Sequence, residues 1–203
     1  MDDDLRLREA LTDLLASRGY HSRTFASAAE FIGLAKPNIA GCLVLDVELP
    51  DINGLELQRQ LATEVHPPIV FITGHGDIPS SVRAMKAGAV DFLPKPFSEE
   101  QLFAAVENAL NRDRRARAAS DELAQVRALY ATLTQRQREA LPLIVSGLRS
   151  KQAAAVLGIS LVTMQIHRGN IMRKMHAGSL SDLVRKSEKL QIAPHPAAKA
   201  LLK

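Results

Sequence analysis

The sequence predicts a two-domain chain, an α/β domain on an open parallel sheet followed by a smaller all-α domain. Three observations point there. Over roughly the first 110 residues, short apolar runs alternate with helical patterns, whereas from residue 132 onward only helical spacing recurs. Charge divides at the same place: residues 1–111 hold 9 Lys/Arg against 16 Asp/Glu, 112–131 hold 5 against 3, and 132–203 hold 12 against 3. With 203 residues, 46% of them hydrophobic, the chain can bury one or two sizeable cores.

In the first domain, helical patterns fall at about 4–18, 27–35, 54–64, 78–87 and from 98 onward, with strands near 20–25, 42–46, 69–73 and 90–93. Ser27 and Ser98 fit N-caps; Ser98 is followed by Glu99, Glu100 and Gln101, an acidic first turn with a capping-box partner. Between Ser98 and Thr132 there is no Gly or Pro, which predicts one long helix, with polar Asp113–Ser120 as an alternative hinge. The division expected is 1–111, a helical linker 112–131, a second domain 132–192 and a frayed tail 193–203 carrying Pro194 and Pro196.

The second domain opens on Thr134 as the N-cap of a helix ending near Gly147. Pro142 falls inside it, where a proline costs ~3 kcal/mol, so a kink or a later start is expected. Helices at 150–157, about 161–175 and about 179–191 follow, the first two joined by the turn Gly158-Ile159-Ser160. Two helices across a short Gly-containing turn make a helix-turn-helix, whose second member lies in a DNA major groove.

Chemistry gathers at the strand ends of the first domain. Leu43-Val44-Leu45 delivers Asp46 into a loop punctuated by Pro50 and Gly54; Ile69–Ile72 runs into Thr73-Gly74-His75-Gly76; and Asp91-Phe92-Leu93 runs into Pro94-Lys95-Pro96. Ligands of open α/β sheets bind at this rim. Carboxylates of Asp2, Asp3, Asp4 and Asp46 suit a hard ion such as Mg²⁺. Acids, a hydroxyl and an ammonium together describe a phosphoryl-accepting site: Asp46 attacks phosphorus, Thr73 donates to an equatorial oxygen and Lys95 neutralises charge.

These residues resemble the receiver domain of bacterial two-component response regulators, most of all the FixJ branch, through Ile-Thr-Gly-His-Gly-Asp at 72–77 and Arg-Ala-Met-Lys-Ala-Gly-Ala-Val-Asp-Phe at 83–92. The resemblance implies a flavodoxin-like fold and Asp46 as phosphoacceptor. It also implies Mg²⁺ held by Asp3 directly, Asp2 through water, Asp46 and the Glu48 carbonyl. Thr73 and Phe92 become the switch pair, and Lys95 the phosphate-pairing lysine before a cis Pro96. Receivers open with a buried central strand that ends at the acidic pair. Here Met1 directly precedes Asp2, so the sequence is expected either to start downstream of the true start or to lack that strand.

The run Leu-Thr-x-Arg, Gly-Leu, Ser-Lys-Gln-Ala-Ala, Leu-Gly-Ile-Ser, Thr-Met-Gln-Ile-His-Arg, Asn-Ile-Met-Arg-Lys-Met, over roughly 132–192, resembles the LuxR-type four-helix DNA-binding domain. Helical spacing sends Met164, Ile171 and Met175 to the core and Gln165, Ile166 and Gly169 outward. Gln165 suits adenine and Ile166 a thymine methyl, while Lys151, Thr163, Arg168 and Lys174 suit phosphates; His167 fits either packing or a phosphate. Gln165 and Gly169 depart from the residues usual in relatives, so base preference does not transfer.

The expectation is a cytoplasmic transcription regulator, not an enzyme, phosphorylated by a sensor histidine kinase. Phosphorylation would drive homodimerisation on promoter DNA and contact with RNA polymerase. A constitutive regulator with a degenerate receiver is the alternative. An aspartyl-phosphate phosphatase is disfavoured because Glu48 stands where that class wants a second Asp. The single Cys42 offers neither a disulfide nor a cysteine metal site, no run reaches the ~20 apolar residues of a membrane span, and no secretory leader is expected.

Overall fold

The computed structural model describes residues 1–32, 39–62, 66–74 and 77–196. The end of the expected 27–35 helix, the end of the 54–64 helix, His75, Gly76 and the tail from 197 lie outside the described residues. The chain forms two compact units, Met1–Arg117 and Ala118–Lys203.

In the first unit, α1 (Leu5–Ser17) and α2 (Ala28–Ile32) precede β1 (Leu43–Asp46), α3 (Gly54–Leu61), β2 (Ile69–Thr73), α4 (Ile78–Lys86), β3 (Asp91–Pro94) and the first part of α5 (Glu99–Ala131), whose residues from Ala118 belong to the second unit. The strands form a parallel sheet in the order β1-β2-β3, with Asp46 opposite Ile72 and Thr73 opposite Pro94. Central β2 is buried throughout, as a strand covered on both faces must be. Alternation along the strands sends Leu43, Leu45, Ile69 and Phe71 into one core with Leu57 and Ala84, and Val70, Ile72 and Leu93 into another with Leu102, Val106, Leu7 and Leu11.

No strand forms at 20–25 among the described residues, which corrects the expectation there. Its ladder partner on the β1 side is only two residues long: the Met1 amine donates to the Val44 carbonyl (2.7 Å), Asp46 N–H to the Met1 carbonyl (2.9 Å) and Asp2 N–H to the Phe25 carbonyl (3.3 Å). One rung cannot hold five further residues extended against loss of backbone entropy. Among the described residues the sheet accordingly has three strands, β1, β2 and β3.

Helix starts follow the caps. Asp4 receives the N–H groups of Arg6 and Leu7, and Asn53 that of Leu55. At Ser98 the capping box is complete: Gln101 N–H donates to Ser98 Oγ and Ser98 N–H to Gln101 Oε1. Helix α5 then runs unbroken for 33 residues through the expected linker, with no break at 113–120.

The second unit contains α6 (Gln135–Val145), α7 (Ser150–Leu157), α8 (Leu161–Lys174) and α9 (Leu180–Lys189). Their core is Leu133, Leu141, Leu143, Ile144, Leu148, Met164, Ile171, Met175 and Leu183. Thr134 and Gln137 form a reciprocal capping box, so α6 starts there and not after Pro142. The proline is carried inside the helix: Leu143 and Ile144 beside it are fully buried, and Ser146 returns both its N–H and its hydroxyl to the Pro142 carbonyl (3.1 and 2.5 Å). Gly158 ends α7 at φ 64°, a conformation that glycine adopts without a Cβ penalty. Ser160 then caps α8 through Thr163 N–H (3.0 Å).

Candidate functional site

The strand ends place three segments around one pocket. Asp46 ends β1, Asp2 arrives on the Met1–Asp2 rung beside it, and Lys95 follows β3, where its N–H donates to the Thr73 carbonyl at 2.7 Å. Lys95 Nζ lies 2.6 Å from Asp46 Oδ2 and 2.8 Å from Asp2 Oδ2. Glu48 N–H holds the other Asp46 oxygen at 3.0 Å, and Asp4 N–H holds Asp2 Oδ1 at 2.9 Å. Asp2 and Asp46 are 1% and 4% exposed, whereas Asp3 stands open to solvent.

Gly54 makes this loop possible. Its N–H reaches back to the Val47 carbonyl at 2.7 Å, and a Cβ there would lie 2.3 Å from the Asp46 carbonyl oxygen. Thr73 is fully buried at the end of β2, and the Phe92 ring packs on Phe71 with centroids 6.1 Å apart. The Lys95–Pro96 bond is cis, as expected.

Burial raises the carboxyls of both buried acids, with different outcomes. For Asp2 the Lys95 ammonium, Asp46 and the Asp4 N–H outweigh it, holding the acid below its ordinary value. For Asp46 burial prevails over Lys95 and Glu48, and Asp2 adds to it, so this carboxyl titrates above its ordinary value. On Lys95, burial opposes the charge but the two carboxylates win, keeping it protonated into alkaline solution. A cation therefore already sits between two of the acids. Carboxylate oxygens of Asp2, Asp3 and Asp46 lie within 4.8 Å of one another, an all-oxygen donor set that fits a hard divalent ion.

Sequence reasoning missed Arg8, whose guanidinium donates to the Asp2 carbonyl at 2.6 Å and fixes the acidic segment against α1. Its only sequence signal is its position one helical turn after Asp4.

In the second unit, α8 buries Met164 and Ile171 and exposes Leu161, Val162, Gln165, Ile166 and Gly169. Lys151 is exposed on α7, and Thr163, His167 and Arg168 are half-buried. Thr163 Oγ1 lies 2.8 Å from Ser160 Oγ, so its hydroxyl belongs to the cap network. Lys174 turns inward: its ammonium meets the Thr132 carbonyl (2.8 Å) and Gln137 Oε1 (3.0 Å), tying α8 to the start of α6. Lys186, which the sequence reading passed over, closes the other end of α8 on the carbonyls of Met175 and His176 (3.1 and 2.6 Å).

Among the described residues, no helix is long and apolar enough to cross a membrane. Comparison with known proteins agrees with both halves. The response regulator receiver domain matches residues 1–107, and the luxR family of bacterial regulatory proteins matches 131–187. The chain is 47% identical to Nodulation protein W of Bradyrhizobium diazoefficiens over 95% of its own length and 86% of that protein's. It is 43% identical to the transcriptional regulatory protein FixJ of Azorhizobium caulinodans, over 96% and 92%. Among solved structures, the response regulator StyR superposes with a TM-score of 0.83 at 47% identity, covering 93% of this chain and 96% of that one. Full-length FixJ from B. japonicum gives 0.54 at 38%, covering 94% and 95%. An acidic pocket on a receiver sheet and a helix-turn-helix on a basic unit, matched over most of the chain in regulators of the same build, establish that this protein belongs to the two-component response regulators with a receiver domain and a LuxR-type DNA-binding domain.

Proposed function

We propose that Asp46 is the phosphoacceptor of this regulator and that its phosphorylation, by a sensor histidine kinase, switches DNA binding by the second unit. The observation that carries this reading is the Asp46 carboxylate at a strand end, held by Lys95 at 2.6 Å beside two further acids. An Asp46 oxygen attacks the phosphorus of a phosphohistidine; the P–N bond breaks and the imidazole leaves with the bond pair. Asp2, Asp3, Asp46 and the Glu48 carbonyl would hold Mg²⁺, which supplies positive charge to the equatorial phosphoryl oxygens when bound.

Lys95 shares that task. Its ammonium lies on Asp46 and Asp2, and a phosphoryl group on Asp46 brings anionic oxygens to the same place. Thr73 ends β2 and Phe92 lies in β3 opposite Phe71, and these are the residues through which the change reaches the surface of α4 and β3. That surface carries exposed Ile78, Val82 and Met85, one apolar stripe at helical spacing, suited to pairing two receivers. Two recognition helices would then address two half-sites on one promoter, beside RNA polymerase.

On the DNA side, Gln165 and Ile166 face outward as base readers with the gap at Gly169, and Lys151 and Arg168 flank them for phosphates. Thr163 and Lys174 serve the interface through the placement of α8, and half-buried His167 lies beside the readers. The test is intact mass after incubation with acetyl phosphate and Mg²⁺. A single phosphoryl adduct on this chain, absent from Asp46→Asn, is the expected result; no adduct, or one that survives the substitution, defeats the assignment. Sizing of the same samples checks the pairing, because a phosphorylated protein that stays monomeric defeats the dimer.

A further inference from the structure

The reading surface of α8 has an unusual chemistry. Val162, Gln165, Ile166 and Gly169 recur at three- and four-residue spacing on the side opposite the buried Met164 and Ile171. Val162 is 65% exposed and Ile166 57%, β-branched side chains held in water at successive turns. An exposed apolar stripe on a helix has three ordinary covers: a second copy, another protein, or a ligand with apolar groups at matching spacing. The surroundings choose among them. Helix α8 contains no Asp or Glu, and residues 132–203 carry 12 Lys/Arg against 3 acids, so the stripe lies in a field that favours a polyanion.

The groups that read G·C pairs are missing from the stripe. Guanine is read by Arg or Lys and cytosine by an acid. Of the three cations on α8, Lys174 is engaged with Thr132 and Gln137, Arg173 donates to Asn170 Oδ1 in the last turn, and Arg168 is half-buried away from the stripe. Within the first two turns, which reach base edges in this motif, the exposed groups are one amide, Gln165, and three branched hydrocarbons, Leu161, Val162 and Ile166. The amide matches adenine and the hydrocarbons match the thymine methyl.

We infer that α8 reads A·T pairs chiefly through thymine 5-methyl groups, with Val162 joining Ile166 as a specificity-determining contact and Gln165 pairing with adenine between them. Gly169 leaves the next turn without a base-reading side chain, which confines this readout to the first half of the helix. The inference rests on the proposal that this unit binds DNA through α8, and the experiment separates the two.

Duplexes bound by the full chain are selected from a random-sequence pool, and the recovered site is remade with deoxyuridine for thymidine at single positions, which removes only the methyl group. The recovered core is expected to be A·T-rich, and each contacted methyl is worth about a three- to fivefold loss of affinity when removed, as burial of one methyl predicts. Val162→Ala and Ile166→Ala should each bind the thymidine and deoxyuridine forms alike at one position, a readout independent of any general weakening. Equal affinity of the unaltered chain for both forms, or a core rich in G·C, overturns the inference while leaving DNA binding intact. Binding without any sequence preference overturns it together with the base-reading roles. Val162→Ala and Ile166→Ala that keep full methyl dependence would assign the stripe to a protein partner instead.

Discussion

Gly54 is the residue on which the loop after Asp46 turns. Its missing side chain admits the Asp46 carbonyl to a distance of 2.3 Å from where a Cβ would stand, and Val47 Cα to 3.1 Å. Both neighbours are backbone, so neither can rotate away. Gly54→Ala is expected to destabilise the receiver unit by ~1–3 kcal/mol, the usual cost of overpacking, and to slow phosphorylation because the displaced segment carries Asp46. Urea denaturation and the rate of adduct formation measure the two effects. Gly41→Ala, where nothing lies within 4 Å, is the control and should leave both unchanged or raise stability slightly. Side-chain placement at this scale was only partly legible in the sequence. Asp46, Asp2 and Lys95 could be found because each follows a recognisable strand or an acidic run, whereas Arg8 and the inward turn of Lys174 depend on which carbonyl happens to lie within reach.

Local chemistry decided most elements. Caps at Asp4, Asn53, Ser98, Thr134 and Ser160 and the left-handed turn at Gly158 fix helix boundaries from a few neighbouring residues; sequence reading named the caps at Ser98 and Thr134 and the turn at Gly158, and not those at Asp4, Asn53 and Ser160. The strand expected at 20–25 failed for the opposite reason. A strand exists only through its neighbour, and the neighbour here is one rung at Met1–Asp2. Pro142 likewise looked disruptive in isolation, but the buried contacts of Leu141, Leu143 and Ile144 hold α6 helical across it. The end of α8 yields a prediction. Lys186 places an ammonium on the last carbonyls of that helix and on Asp182 (2.9 Å), a cation where the helix is negative. Lys186→Met keeps the apolar stem and removes the donor, so the second unit should lose about 1–2 kcal/mol in chemical denaturation. Base preference should be unchanged, since the residues proposed to read bases lie in the first turns.

The whole chain divides its charge as it divides its labour, with the acids concentrated before residue 112 and the basic excess after 132. On the proposed function the acidic half holds a divalent cation and the basic half a polyanion, so salt should act on the two differently. Counterion release makes DNA affinity fall steeply with ionic strength. The buried pocket, screened far less, should keep its ion pairs. That pocket joins positions 2, 46 and 95 through a single ammonium. Fraying at the start of the chain and loosening after β3 are therefore one event and not two. Native-state hydrogen exchange should find the Asp46 amide, bonded to Met1, and the Lys95 amide, bonded to Thr73, opening with a common free energy. In Lys95→Met the two should separate, with Asp46 exchanging faster than Lys95. A single lysine would thus set the cooperativity with which one edge of the sheet senses the other.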